Sequence, residues 1–247
     1  MYNKVSYLEG QHSLIIPIRW SKEEIKAREK FRCAKHGHDG ISHKSCYDKE
    51  MGTVERKGCL DIESGNLDAD FGIVLSWTIK VSEEETYYTD HITKKDLQSG
   101  NYDARLLSTL VKKLWEFDRL ITHYGINGRF DIPFIRARYL WLVSRKMYKG
   151  QRFPGYGEMY VSDTYSMAKK LLKISSRRQN VVATVIQGID VKTPIDRDRW
   201  LAIQYGNMDQ REAAIEYIVE HNIKDTQQLD QNYLLMLPFV RELKSSI

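Results

Sequence analysis

The sequence predicts a mixed α/β sheet with helices packed against it, preceded by a small polar extension. Two observations predict this. Three strand-like runs joined by short turns open the main body, and helix and strand then alternate to a last long helix, the order of a mixed sheet covered by helices. By contrast, residues 1–54 are rich in Lys, Glu and His and poor in strand-like alternation. We therefore place a boundary there, with residues 55–247 as the main domain.

In the extension, SKEEIKAREKF reads as a short exposed helix with Ser21 as N-cap and Glu24 completing a capping box. It offers little apolar surface, so no hydrophobic core is expected. From residue 55, RKGCLDIE, GIVLSWTIKV and ETYYTDHI read as strands. Their short connections, SGNLDADFG and SEE, favour an antiparallel meander. Leu106, Leu107, Leu110, Val111 and Leu114 then recur at helical spacing. DRLITHYG reads as a buried strand and IPFIRARYLWLVSRK as a helix. MYVSDTYSMAKKLL reads as a strand passing into a helix. The last helix covers MDQREAAIEYIVEHNIKDTQQLDQNYLLML.

A 42% hydrophobic and 29% charged composition is that of an ordinary globular protein. No apolar run approaches the roughly 18–20 residues that span a bilayer. The first residues lack the order of a secretory signal. The expected location is the cytosol, or the host cytosol for a viral chain. A net charge of +5 is compatible with a polyanionic partner without identifying one. Three cysteines make no disulfide scaffold, and Cys59, inside an apolar run, reads as a small core residue.

Chemistry enters with Asp61 and Glu63, two residues apart on the first strand and so on one face. Side by side and away from water they repel, unless a cation lies between them. Asp131 follows a strand in the turn that opens a helix, with Pro133 in the first turn. An Asp there can cap the helix or ligate a metal, or both. His221 and Asp225, four apart on the last helix, share a face. Tyr217, another turn back, lies about 12 Å from Asp225, too far to act on the same small site.

These motifs resemble the DEDD 3′–5′ exonucleases of the ribonuclease H-like (DnaQ-like) superfamily. The matches are Asp61 and Glu63 for the first motif, Asn127, Phe130 and Asp131 for the second, and Asp225 for the third. The Asp163-Thr164 pair also looks like predicted phage and bacterial exonucleases of this group. The resemblance covers about residues 55 to 240. It implies a five-stranded ribonuclease H-like sheet and two Mg²⁺ or Mn²⁺ ions held by the four acids. The implied reaction is removal of nucleotides from a 3′ end, by a monomer acting on single-stranded DNA or RNA. Alternatives are an endonuclease on hybrid or branched nucleic acid and a binding module whose catalytic centre has decayed. Replication or repair proteins are the implied partners. The family's third motif has Tyr with three residues before Asp, or His with four. Here His221 has three, so the spacing of one class carries the residue of the other. His221 is expected as general base or water-orienting group.

Arg129, beside the second motif, and Arg177 and Arg178, in a polar loop, are candidates to grip phosphates. Phe130, Phe153 and Tyr165 are candidates to stack on bases, with core packing as the competing role. In the extension, CAKHGHDGISHKSC gathers Cys33, His36, His38, His43 and Cys46. Thiolate and imidazole together suit structural zinc. Cys33, His43 and Cys46 are expected to ligate, with either His36 or His38 as the fourth. Metal binding would supply the folding free energy that the segment's own side chains lack.

Overall fold

The computed structural model describes residues 20–126, 129–188 and 196–241. The chain divides into two compact units after Glu55.

In the first unit, α1 (Lys22–Lys30) and α2 (Lys44–Met51) flank the cysteine and histidine loop. Ser21 caps α1 through the Glu24 N–H. The Glu24 carboxylate instead accepts from Arg28 Nε and Nη2, at 3.1 and 2.9 Å, so only half of the expected capping box forms. Arg28 is 1% exposed. Its guanidinium lies 3.9 Å from the Trp20 ring centroid and 4.2 Å from that of Tyr47, and Nη2 donates to Asp48 at 2.7 Å. A core was not expected here; one exists because a cation paired with carboxylates and stacked on two aromatic rings can leave water.

The second unit is a five-stranded sheet in the order β3-β2-β1-β4-β5. Strands β1 (Lys57–Ser64), β2 (Val74–Val81) and β3 (Tyr87–His91) form the expected antiparallel meander. Strands β4 (Arg119–Thr122) and β5 (Tyr160–Asp163) run parallel to β1. Helices α3 (Lys94–Gln98) and α4 (Ala104–Leu114) come between β3 and β4, and α5 (Asp131–Ser144) between β4 and β5. After β5 come α6 (Thr164–Leu171), α7 (Gln179–Gln187), α8 (Arg197–Tyr205) and α9 (Met208–Met236). This is the mixed sheet flanked by helices that the sequence predicted. All five periodic apolar residues of α4 are fully buried.

Helix α9 positions the site. Asn207 and Gln210 close a reciprocal capping box at its start. Farther along, Leu229, Tyr233 and Met236 pack with Cys59 of β1 and with Met167 and Val182, so Cys59 is a core residue as expected. Cys59, Asp61 and Glu63 alternate onto one face of β1. The same contact that buries Cys59 under α9 therefore aims both acids at the helix.

Candidate metal centres

Glu63, His221 and Asp225 each offer an atom within 4.8 Å of the others. His221 Nδ1 is 3.1 Å from Asp225 Oδ2 and 3.7 Å from Glu63 Oε1, an ion-pair contact rather than an aligned hydrogen bond. Asp61 Oδ2 accepts from Asn222 Nδ2 at 2.6 Å. Asp131 Oδ1 accepts from the Ile62 N–H on β1, at 3.3 Å, which ties the start of α5 to the first motif. Asp131 is the first residue of α5 and not its cap; Phe130 takes that position without a side-chain cap bond.

The turn before Asp131 is close-packed. A Cβ on Gly125 would stand 2.7 Å from Asp131 Oδ2 and 2.5 Å from Thr122 Cβ, so only glycine lets the loop pass beneath the carboxylate.

The four carboxylates are close enough for Asp61 to feel the charge of the other three. Burial lifts Asp61 well above the usual carboxylate range, and the charges of Glu63, Asp131 and Asp225 lift it further, against the Asn222 hydrogen bond. Glu63 is raised by burial, with His221 opposing. Burial pushes Asp131 up to about 7. His221 is raised to about 10 by contact with Asp225 and then with Glu63. Each shift makes the folded state bind protons more tightly than the unfolded chain. Without a divalent cation, stability should therefore fall as pH rises. Asp131 loses its contribution between the unfolded value of about 4 and the folded value of about 7, and Asp61 and Glu63 lose theirs as pH rises through their own raised values. His221 loses its own between about 6.5 and 10. We expect the melting temperature in EDTA to drop by more than about 5 °C from pH 5.5 to pH 8.5. Added Mn²⁺ should restore more of it at the higher pH. A flat profile in a thermal melt would mean the acids do not repel.

The donor set fits a hard divalent cation: carboxylate oxygens that repel one another, compensated among the described residues by one imidazolium. Asp61, Glu63, Asp131 and Asp225 would hold it. Tyr217 is tied elsewhere, its hydroxyl accepting from the Asp196 N–H at 3.0 Å.

The other sequence candidates have diverse placements. Asn127 lies outside the described residues. Arg129 Nη1 donates to Asp163 Oδ2 at 2.6 Å, and its guanidinium lies against Tyr124 and Tyr165. The Phe130 ring lies 5.5 Å from that of Phe134. Phe153 is buried beside Tyr139 and is core, not a stacking surface. Arg178 is exposed at the start of α7, while the Arg177 carbonyl accepts from His123 Nε2 at 2.9 Å. Sequence reasoning missed Asn222. It is fully buried, and its clue was an Asn in the interior of a helix, a position Asn disfavours.

In the first unit, Cys33, His36, His43 and Cys46 bring their ligand atoms within 4.8 Å of one another. His36 Nδ1 is 3.5 Å from both Cys33 Sγ and Cys46 Sγ. A tetrahedral zinc with Zn–S of about 2.3 Å and Zn–N of about 2.0 Å separates such ligands by about 3.5 Å. The four therefore fit zinc in both chemistry and spacing. Burial raises the Cys33 thiol, but hydrogen bonding with Cys46 and from the backbone of Lys35 and His36 leaves it net lowered. Gly37 supplies the left-handed residue of the turn, at φ +68°, and its N–H donates to the Cys33 carbonyl. Of the two histidines left open by the sequence, His36 faces the thiols. The His38 ring stacks outside, 6.3 Å from that of His36.

No family model matches the sequence, and no curated protein matches it. Solved structures do. Brucella melitensis NrnC with bound Mg²⁺ is 14% identical, with a TM-score of 0.37 over 74% of this chain and 83% of its own. A chain solved as the apo form of a nuclease is 13% identical, with a TM-score of 0.41 over 75% of this chain and 77% of its own. No helix among the described residues is long and apolar enough to cross a membrane.

Proposed function

We propose that the second unit is a metal-dependent nuclease that removes nucleotides from the 3′ end of single-stranded DNA. One observation carries the nuclease reading: carboxylates from β1, α5 and α9 share a region where burial first, and one another's charges second, raise the proton affinity of Asp61, Glu63 and Asp131. The 3′ polarity rests on the resemblance of the three motifs to the DEDD exonucleases. Two Mg²⁺ or Mn²⁺ ions held by Asp61, Glu63, Asp131 and Asp225 would acidify the attacking water and stabilise charge on the phosphate.

The remaining work falls to side chains. Asn222 fixes the Asp61 carboxylate by donating to one oxygen. The Ile62 N–H does the same for Asp131. His221 takes the proton from the attacking water. As an imidazolium paired with Asp225 and Glu63 it is no base; neutralisation of those carboxylates returns it toward 6.5, where it can accept a proton near neutral pH. Replacing it, His221→Ala, should slow turnover by roughly 10²-fold or more. A mild effect would reassign His221 to structure.

The direct test is a gel assay on 5′-labelled single-stranded DNA and RNA, free or blocked at the 3′ end, in Mn²⁺ or EDTA. A metal-dependent ladder on DNA that disappears on the blocked strand is the expected result. Cutting of blocked strands would make the enzyme an endonuclease, and binding without cutting would sink the catalytic reading.

We also propose that Cys33, His36, His43 and Cys46 hold one structural zinc in the first unit. The 3.5 Å separations of His36 Nδ1 from both sulfurs, with His43 in the same cluster, support this reading.

A further inference from the structure

Strands β1, β4 and β5 are parallel, so their C-terminal ends share one edge of the sheet, where open α/β sheets bind ligands. Asp61 and Glu63 approach that edge on β1. Beyond β4 and β5 stands a second group: the rings of Tyr124 and Tyr165 are 4.8 Å apart at 71°. The Arg129 guanidinium lies 4.8 and 4.5 Å from their centroids.

This group is held in place deliberately. Tyr124 has φ +63°, a left-handed conformation that bulky side chains rarely adopt. Its N–H donates to Asp163 Oδ1 at 2.7 Å, while Arg129 donates to Asp163 Oδ2. One buried carboxylate thus anchors both ends of the loop. Yet Tyr124 stays 46% exposed, and Nη1 is the one Arg129 nitrogen hydrogen-bonded to the described residues. A strained backbone that displays an aromatic ring and open guanidinium donors suits contact with a ligand.

The two sides of the acid cluster differ. Toward β2, a cavity of ≈ 270 Å³ is lined by Gly65, Leu75, Ile92, Ile203 and Ile215, with α8 and α9 supplying the last two. Toward β5, the tyrosine and arginine group, which follows β4 and β5 at one and two strand spacings from β1, is open. A strand's end suits the walled side, and its continuing chain suits the open one.

We propose that Tyr124, Arg129 and Tyr165 form a platform for nucleotides farther to the 5′ side than the two that flank the attacked phosphate. This rests on the nuclease reading above. The rings stack on bases of any identity, and the free donors of Arg129 meet a backbone phosphate.

The test is binding of 5′-fluorescein-labelled (dT)₂ and (dT)₈, followed by anisotropy in Ca²⁺, a hard cation suited to carboxylate sites. Mn²⁺-dependent cutting of the same oligonucleotides is scored separately. Tyr165→Leu should weaken (dT)₈ by about tenfold and leave (dT)₂ unchanged. Tyr124→Leu repeats the test from the exposed ring should the first variant not fold. Equal loss for both lengths, no loss for either, or no binding of (dT)₈ by the unaltered protein would overturn the platform. Ring-dependent binding of (dT)₈ without any cutting would sink the nuclease reading and leave the platform standing.

Discussion

Asp61→Asn should cut nucleic acid at least about 10³-fold more slowly than the unaltered protein and should melt at a higher temperature in EDTA. The first effect follows from losing a metal ligand that contributes several kcal/mol of transition-state stabilisation, at about 1.4 kcal/mol per factor of ten. The second follows from electrostatics. Asp61 feels Glu63, Asp131 and Asp225 together, so a neutral amide of the same shape relieves that repulsion and still offers an oxygen to Asn222. The increase in melting temperature that Mn²⁺ gives the unaltered protein should shrink in the variant. Nuclease assays and thermal melts with and without Mn²⁺ read all three. Near-normal cutting would move the metal site elsewhere. A lower melting temperature in EDTA would make Asp61 a structural residue.

Protein purified without a His-tag or metal resin should contain one zinc per chain by elemental analysis, and its removal should unfold the first unit. Structural zinc contributes on the order of 10 kcal/mol. The other visible source of stability there is a cluster around one stacked arginine, with Trp20 and Tyr47 as its aromatic walls. Chelation, or Cys46→Ser, should therefore expose Trp20, seen as a red shift in its fluorescence, and open residues 20–55 to limited proteolysis. Unchanged proteolysis after chelation, or protein free of zinc as isolated, would remove the metal from the account.

Asp61, Glu63, Asp131 and Asp225 could be named from the sequence because each sits at a position that local rules read: two on one face of a strand, one at the mouth of a helix, one sharing a helical face with His221. The same rules gave the five apolar positions of α4 and the strand order of the meander. Asn222 escaped because its importance lies in a partner 161 residues away, and nothing in its neighbours along the chain marks that contact. Arg28 escaped for a similar reason: KEEIKAREK reads as a solvated helix until Trp20 and Tyr47 close over its one buried cation.

By itself the sequence indicated the five strands and helices α1, α4, α5, α6 and α9, and it offered the four carboxylates and the five possible zinc ligands as candidates, since periodicity, capping and side-chain chemistry are properties of short segments. Tertiary structure alone decided which other groups meet: His36 and not His38 against the thiols, Asn222 against Asp61, Asp163 beneath the Tyr124 loop. Those choices depend on how α9 crosses β1 and how loops return to one edge of the sheet. That packing is fixed by contacts between residues distant in sequence, so no window of the chain contains it.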